Sequence, residues 1–264
     1  MQIIGEKING TRKRVAKAIS ERDADTIRDL AVRQAEAGST WLDVNAGTHP
    51  NQEADDLIWL IENVQAVTDV PLCLDSANSE ALNAAIKAVD KTPMINSISA
   101  EPERLKNILP IVAEHGCQVI ALAMDDKSIP ETSKERMAVI HKILEATREA
   151  GVPDNHVYVD PLAMTIGTQT GSAVTAMDTM RAVREEFPEA HLTIGLSNIS
   201  FGLPARSQIN RTFLTLAMQA GLDSAILDPL DRDLRAAILT AELVLGRDKH
   251  CLNYVRASRA GLFD

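Results

Sequence analysis

The chain repeats one pattern of hydrophobic and polar positions. A segment with helical periodicity ends at a glycine, an apolar run of strand length follows, and the run ends in polar residues. The pattern occupies residues 34–45, 113–126, 148–161 and 218–229. Each junction glycine is predicted to end its helix in the left-handed conformation; these are Gly38, Gly116, Gly151 and Gly221. Apolar runs bounded by turn signals predict strands buried on both faces, as parallel strands are.

Four further apolar runs, at residues 2–7, 70–74, 93–95 and 192–196, bring the predicted strands to about eight. Eight β-α units close a single (β/α)8 TIM barrel, an α/β fold that takes about 250 residues. Because the 264 residues contain no composition break or low-complexity linker, we expect one domain over residues 1–264. A doubly wound open sheet is the structural alternative, but no GxGxxG sequence follows the first strand.

The charge of the chain narrows the classes of partner. A formal net charge of −10 argues against a nucleic-acid surface, which needs clustered lysine and arginine. No apolar run approaches the roughly 18 residues of a membrane span, and the opening sequence MQIIGEKING lacks the features of a signal peptide. We therefore expect a cytoplasmic protein with no nucleic-acid or membrane partner.

The cysteines and histidines predict no metal site. Cys73, Cys117 and Cys251 are far apart and match no metal-binding spacing. Cys73 and Cys117 lie in or beside apolar runs, which favours buried, inert thiols. The six histidines form no HExxH or HxH pattern.

Polar residues at the predicted strand ends should meet at one mouth of the barrel. The ring comprises Glu6, Asp43, Asn45, Asp75, Ser76, Asn96, Ser97, Met124, Asp125, Asp160, Asn198, Ser200 and Asp228. It contains no Ser-His pair for nucleophilic catalysis. It suits a flat heterocycle, because aspartate accepts from N–H groups and asparagine both donates and accepts.

A structural explanation for each of these residues also stays open. Aspartate, asparagine and serine end strands and cap helices without any ligand. Asp160 and Asp228 each precede a proline and could simply initiate turns. Asn198 could be an asparagine favoured in a left-handed turn.

Several motifs carry a resemblance to a known family. The sequences IIGEKING, LDVNAG, LCLDS, MINS, VDPL and GLSNIS followed by INRTFL are spread from residue 2 to about residue 228. Together they resemble the pterin-binding (β/α)8 methyltransferases. Within that group the match is to methyltetrahydrofolate:corrinoid protein methyltransferases, including those of the acetyl-CoA pathway and of corrinoid-dependent O-demethylase and methylamine-type systems.

The resemblance implies methyl transfer between N5 of (methyl)tetrahydrofolate and the cobalt of a corrinoid, in a direction that the sequence does not decide. No cobalamin-binding DxHxxG segment is present, so the corrinoid is expected on a separate protein. Members of the family are homodimers, which makes a homodimer the expected assembly.

The resemblance also implies residue roles. Asp75, Asn96 and Asp160 would hydrogen-bond the pterin ring, and Asn198 would lie near N5 as the catalytic residue. Weaker expectations concern Ser200 and Arg206 in the following loop, and Asp43 and Asn45, which would act through water. Relatives often carry glutamine in that loop where this chain has Phe201-Gly202, so the glutamine contact is not expected here.

As the methyl group is transferred, charge develops on N5, and a hydrogen bond or a proton at N5 stabilises the transition state. An amide such as Asn198 can donate a hydrogen bond that strengthens as N5 becomes charged. It does not titrate near neutral pH, so the proton is expected through water ordered by Asp43 or Ser200.

Three other functions remain as alternatives. A dihydropteroate-synthase-like enzyme would need a lysine at the seventh strand and Ser-Arg-x-His after the eighth, where this chain has Ser197-Asn198 and no such motif. A non-catalytic folate-binding or corrinoid-docking protein would need no Asn198. A metal-dependent aldolase or lyase would need histidine at the mouth, whereas His49, His156 and His191 are predicted away from it.

Overall fold

The computed structural model describes residues 1–127 and 129–264. Within that part, eight parallel strands form one sheet in the order β7-β6-β5-β4-β3-β2-β1-β8. The strands are β1 (Gln2–Asn9), β2 (Trp41–Asn45), β3 (Leu72–Asp75), β4 (Met94–Ser99), β5 (Gln118–Leu122), β6 (Val157–Asp160), β7 (His191–Leu192) and β8 (Ser224–Leu227). Helices connect consecutive strands, so the predicted (β/α)8 TIM barrel is confirmed.

The helices surround the strands and end largely where the pattern predicts. They are α1 (Lys13–Glu21), α2 (Ala24–Glu36), α3 (Pro50–Gln65), α4 (Ser79–Ala85), α5 (Pro102–Asn107), α6 (Leu109–His115), α7 (Ser133–Glu149), α8 (Ser172–Glu186), α9 (Arg206–Gln219), α10 (Arg232–Val244) and α11 (Leu252–Arg259). The junction glycines have φ values of 93°, 63°, 82° and 113°, so their predicted left-handed conformation is confirmed. None of these helices combines the length and apolar character that a membrane crossing requires.

The inside of the barrel is a small apolar layer, separate from the larger core between strands and helices. One buried side chain from each of β1 to β6 forms this layer: Ile4, Trp41, Cys73, Met94, Ile120 and Tyr158. Because side chains alternate along a strand, the residue two positions later points into the barrel as well, one layer nearer the mouth. The seventh contributor, Ile226 of β8, is partly buried against the same layer.

The seventh strand is shorter than predicted. The apolar run suggested a strand over 192–196, but β7 is only His191–Leu192, and a 3-10 helix occupies Leu196–Ser200. The run is apolar because its side chains are buried, although its backbone leaves the sheet. Barrel closure on this side depends on a bridge between Gly195 and Ile226, with Ile226 N donating to Ile194 O at 2.9 Å.

A side chain strengthens the same seam at its opposite end. Asp223, just before β8, accepts from Leu192 N at 2.8 Å through Oδ1, and its Oδ2 lies 2.8 Å from His191 Nδ1. Arg184 Nη2 lies 2.8 Å from the same carboxylate. These contacts join β7 to β8 where backbone pairing is sparse, and they hold the pKa of Asp223 below its ordinary value despite the opposing effect of burial.

Candidate active site

The mouth of the barrel carries a ring of polar side chains directly above the apolar layer. Counting two residues on from the inner-layer residues of β1, β2, β3, β4, β6 and β8 reaches Glu6, Asp43, Asp75, Asn96, Asp160 and Asp228. The same count from Ile120 reaches Leu122, so β5 supplies the apolar exception. Strand alternation therefore brings the predicted carboxylates of β2, β3 and β6 to one end of the barrel.

Two carboxylates of this ring accept hydrogen bonds from amides on other strands, one on the adjacent strand and one two strands away. Asn45 Nδ2 donates to Asp75 Oδ2 at 2.8 Å, and Asn96 Nδ2 donates to Asp43 Oδ1 at 3.3 Å. The register that places Asp75 opposite Asn96 produces this interlocked group across β2, β3 and β4. The structure thus brings together four residues that the sequence predicted for the site.

The two aspartates of this group hold protons more tightly than exposed carboxylates do. Burial is the main cause that raises the pKa of Asp43 well above its ordinary value, and the nearby Asp75 charge raises it further. The Asn96 amide and the Cys73 thiol oppose that rise. Burial also raises the pKa of Asp75, while the Asn45 amide and the Arg104 charge lower it. Each of these carboxyl groups therefore stays protonated up to a higher pH than an exposed aspartate does.

Asp160 occupies a different setting on the far side of the mouth. The residue is only 6% exposed, and its Oδ1 accepts from Leu162 N at 2.7 Å. Burial raises its pKa from 3.8 to about 6, although the Leu162 and Gly195 amides and the Arg136 charge act in the other direction. A carboxylate with this pKa is largely ionised at neutral pH and can accept from ligand N–H groups.

Asn198 lies in the 3-10 helix that replaces the end of the predicted seventh strand, three residues after Gly195, whose amide interacts with Asp160. The left-handed turn offered as an alternative is wrong for Asn198 because the residue has helical backbone geometry. Its side chain is exposed and has no hydrogen-bond partner among residues 1–127 and 129–264. A Cβ atom at Gly195 would lie 2.9 Å from Asn198 Nδ2, so the glycine leaves room for the amide.

Two further predicted site residues, Ser200 and Arg206, lie after Asn198 and contact each other. Arg206 Nε donates to Ser200 Oγ at 3.0 Å, and Arg206 Nη2 donates to Ser197 O at 2.7 Å. Ser200 is fully buried and its hydroxyl also contacts Ser197 O at 3.3 Å. The Arg206 guanidinium lies 5.8 Å from the ring centre of the exposed Phe201. Arg206 is therefore positioned along the rim, while the Ser200 hydroxyl is already occupied.

Two arginines at the mouth, Arg12 and Arg104, escaped the sequence reasoning, and a third charged residue there, Lys7, did not. Lys7 Nζ lies 2.7 Å from Asp228 Oδ2, and Arg12 Nη2 lies 2.7 Å from Glu6 Oε1. Arg104 donates to Ser97 O at 3.3 Å and lowers the pKa of Asp75. Lys7 follows Glu6 directly and was visible as a strand-end residue, but Arg12 reaches the mouth from the turn before α1, and Arg104 from α5.

Arg136 is the least expected of these residues. It belongs to α7, yet it is fully buried and donates to Pro130 O at 3.0 Å and to Pro161 O and Leu162 O, each at 2.7 Å. The guanidinium holds the backbone that carries Asp160. An arginine within the sequence SKERMAVIHK has the local pattern of a solvent-facing position, so only the packing reveals its role.

The structural explanations for the ring residues apply only in part. The turn interpretation is confirmed at both prolines, since Asp160 and Asp228 accept from the amides of Leu162 and Leu230. Helix capping does not explain Asp75, because the helix that follows it is capped by Asn78. Asn96 lies within β4 and caps no helix either.

The histidines and cysteines largely follow the predictions. His156 and His191 lie at the starts of β6 and β7, away from the mouth. His49 was expected away from the mouth, but it caps α3, which begins on that face after β2. Cys73 and Cys117 are buried as predicted, and burial raises the pKa of both thiols. Residues 1–127 and 129–264 contain no group of three or more histidine, cysteine, aspartate or glutamate side chains placed to hold a metal ion.

A family model described as pterin binding enzyme matches residues 5–228, which extends from β1 to the end of the ring at Asp228. The chain belongs to the pterin binding enzyme family. The resemblance found in the strand-end motifs is thereby confirmed.

This pterin binding enzyme is similar over its whole length to a bacterial protein. It is 39% identical over 263 residues to methylcorrinoid:tetrahydrofolate methyltransferase of Eubacterium limosum, which covers 99% of this chain and 97% of that protein. It is 32% identical over 237 residues to methionine synthase of Mycobacterium tuberculosis, covering 85% of this chain and 20% of that protein.

Solved structures share the fold of this pterin binding enzyme at lower identity. Dihydropteroate synthase of Yersinia pestis bound to a pterine-sulfa conjugate superimposes with a TM-score of 0.71 at 17% identity, covering 93% of each chain. The enzyme of Xanthomonas albilineans with 4-aminobenzoic acid gives 0.71 at 21% identity, covering 94% of this chain and 93% of that one. At these identities the likeness concerns the barrel fold alone.

Proposed function

We propose that this enzyme transfers a methyl group between N5 of (methyl)tetrahydrofolate and the cobalt of a separate corrinoid protein. The observation that carries the proposal is the polar ring, in which Asp75, Asn96 and Asp160 surround the mouth and Asn198 presents an amide free of hydrogen bonds within the described chain. Full-length similarity to methylcorrinoid:tetrahydrofolate methyltransferase supports it. The same site serves both directions of transfer by microscopic reversibility.

The ring offers acceptors and donors that fit a pterin. Asp160 presents an ionised, buried carboxylate to the N–H groups of the heterocycle, where a hydrogen bond is strong because water is excluded. On the opposite side Asp75 and Asn96 supply an acceptor and a mixed donor and acceptor. Asn45 and Asp43 hold these two side chains through the 2.8 Å and 3.3 Å bonds, so the ring is positioned before substrate arrives.

Asn198 supplies the hydrogen bond that changes during the reaction. The cobalt of the partner's corrinoid supplies the nucleophile or the methyl donor, so this chain contributes position and electrostatics. An amide N–H directed at N5 stabilises the transition state more than the ground state as charge develops on nitrogen. Gly195 allows the amide to occupy this place, because any larger residue would displace it.

Of the two candidates for ordering the proton-carrying water, we favour Asp43. Its raised pKa keeps the carboxyl protonated over a wider range of pH than an ordinary aspartate. The Ser200 hydroxyl is buried and already bonded to Arg206 and Ser197. Ser200 therefore fits a role in positioning Arg206 on the rim.

The cobalt assay tests the proposal directly. Purified enzyme is mixed with methyltetrahydrofolate and a reduced corrinoid protein, and the cobalt absorbance is followed; the reverse reaction starts from methylated corrinoid and tetrahydrofolate. We expect Asn198→Ala to lower the transfer rate by about a hundredfold while folate affinity changes by less than about threefold. The exposed Asn107 on α5 gives a matched control, since Asn107→Ala should change neither quantity.

The outcomes separate the alternatives. Tight folate binding without transfer to several corrinoid proteins would favour the folate-binding or corrinoid-docking protein. Equal loss of rate and affinity in Asn198→Ala would remove the transition-state role and leave only a binding role.

We further propose that the enzyme is a cytoplasmic homodimer. Three free cysteines fit a reducing compartment.

The proposed dimer interface is an apolar face on α9 and α10. Leu216 on α9 and Val244 on α10 are 49% and 80% exposed beside a groove of about 560 Å³, and such a face suits a second copy of the chain. Leu216→Glu should shift the mass measured by light scattering to that of a monomer, whereas Leu252→Glu on α11 should not.

A further inference from the structure

A cavity of about 670 Å³ lies outside the barrel, between α10 and α11. The first residues of β1 and the turn at residues 37–38 form its floor. None of the ring residues at the barrel mouth lines it. The volume lies within the range of sites that bind small organic molecules.

The sequences of the two helices explain why this space exists. Arg235, Ile238, Leu239 and Glu242 follow helical spacing and form one stripe of α10 along the cavity. Three of the five lining positions on α11 and the segment after it are small, with alanine at 257 and 260 and glycine at 261; Asn253 and Leu262 are the other two. Long side chains on one wall and small ones on the other leave a gap between the helices.

The charges lining the cavity are unevenly paired. Glu242 lies 3.1 Å from the amino group of Met1, and Arg232 donates to the carbonyl oxygens of Gly261 and Leu262. The guanidinium of Arg235 makes no hydrogen bond or ion pair within residues 1–127 and 129–264. Its Nε is buried and lacks an acceptor, which costs free energy unless a partner arrives.

We propose that this cavity binds a small organic anion with an apolar body. The carboxylate of the ligand accepts hydrogen bonds from the Arg235 guanidinium, whose fork geometry matches a carboxylate. The apolar body lies against Ile238, Leu239 and Leu262, which line the same space. A bare inorganic anion would leave these apolar walls uncovered, so the ligand needs both parts.

Hexanoate and hexan-1-ol test the proposal, because they share an apolar chain and differ in the charged group. Binding to the full-length protein is measured by calorimetry and by the shift in melting temperature. We expect hexanoate to bind and to raise the melting temperature, and hexan-1-ol to bind at least about tenfold more weakly. Arg235→Gln should weaken hexanoate binding by about the same factor.

Two more variants separate the site from general effects of charge and fold. Ala257→Leu fills the gap between the helices and should abolish hexanoate binding without changing charge. Arg256→Gln removes a charge from an exposed position of α11 outside the cavity and should leave binding unchanged. All three variants should retain methyl transfer, which confirms that they fold. Equal binding of hexan-1-ol, unchanged binding in Arg235→Gln, or no binding of hexanoate to the wild-type protein would overturn the proposal.

Discussion

Replacing Asp160 by asparagine should stabilise the free protein at alkaline pH while weakening its hold on the pterin. Burial raises the pKa of this carboxyl from 3.8 to about 6. The folded protein therefore binds more protons than the unfolded chain between these pH values. By linkage, the free energy of unfolding falls as pH rises from about 4 to about 6, and the total loss is about 3 kcal/mol.

The amide of the variant removes this loss but has a cost of its own. Asp160 accepts from Leu162 N at 2.7 Å, and its carboxylate also interacts with the Gly195 amide. The pKa of about 6 already includes these bonds to the carboxylate. Compared with the protonated acid, the asparagine brings a larger NH2 group with two donors into a buried site, for which we subtract about 1–2 kcal/mol. Asp160→Asn should therefore be about 1–2 kcal/mol more stable than wild type at pH 8. Below about pH 4 the sign should reverse.

Urea unfolding at a series of pH values, followed by the fluorescence of Trp41 and Trp59, measures the difference. Asp223→Asn is the matched control, because the pKa of Asp223 is lowered on folding. Its contribution to stability is present above the unfolded pKa and is lost as pH falls through the folded pKa. The two variants should thus show opposite pH dependence. A stability difference for Asp160→Asn that is the same at pH 4 and pH 8 would refute the reasoning.

Four further outcomes are expected. Asp223→Asn should lower the free energy of unfolding by about 1–2 kcal/mol at pH 7, since it weakens the seam between β7 and β8 at a partly exposed site; denaturant unfolding checks this. Gly195→Ala should displace the flexible Asn198 amide, lowering the methyl-transfer rate with little change in melting temperature; a normal rate would contradict the close approach. Arg136→Met should destabilise the protein by about 3 kcal/mol and raise the pKa of Asp160. As the pH is lowered, the variant should then lose pterin binding at a higher pH than wild type does. Asp75→Ala should weaken pterin binding at least about tenfold in calorimetry, and unchanged affinity would remove Asp75 from the binding ring.

The polar ring was accessible from the sequence, and the period of two along a strand relates it to the inner layer that the structure shows. Once Tyr158 is placed inside the barrel, Asp160 must point the same way, and the same holds for Cys73 and Asp75. Parallel strands with helical connections bring their carboxyl ends to one face, so residues far apart in the chain could be assigned to one site. The junction glycines predicted helix ends for an equally local reason, their tolerance of positive φ.

Tertiary structure alone decided how the barrel closes and how the site is tuned. The run at 192–196 is apolar because it is buried, and burial by itself does not distinguish a strand from the 3-10 helix that carries Asn198. The pKa of Asp160 depends on its burial, on the Gly195 amide and on Arg136 in α7, none of which its own strand encodes. Such contacts join segments that are distant in the chain. They cannot be predicted from local periodicity, because periodicity indicates only which face of its own strand or helix a residue occupies.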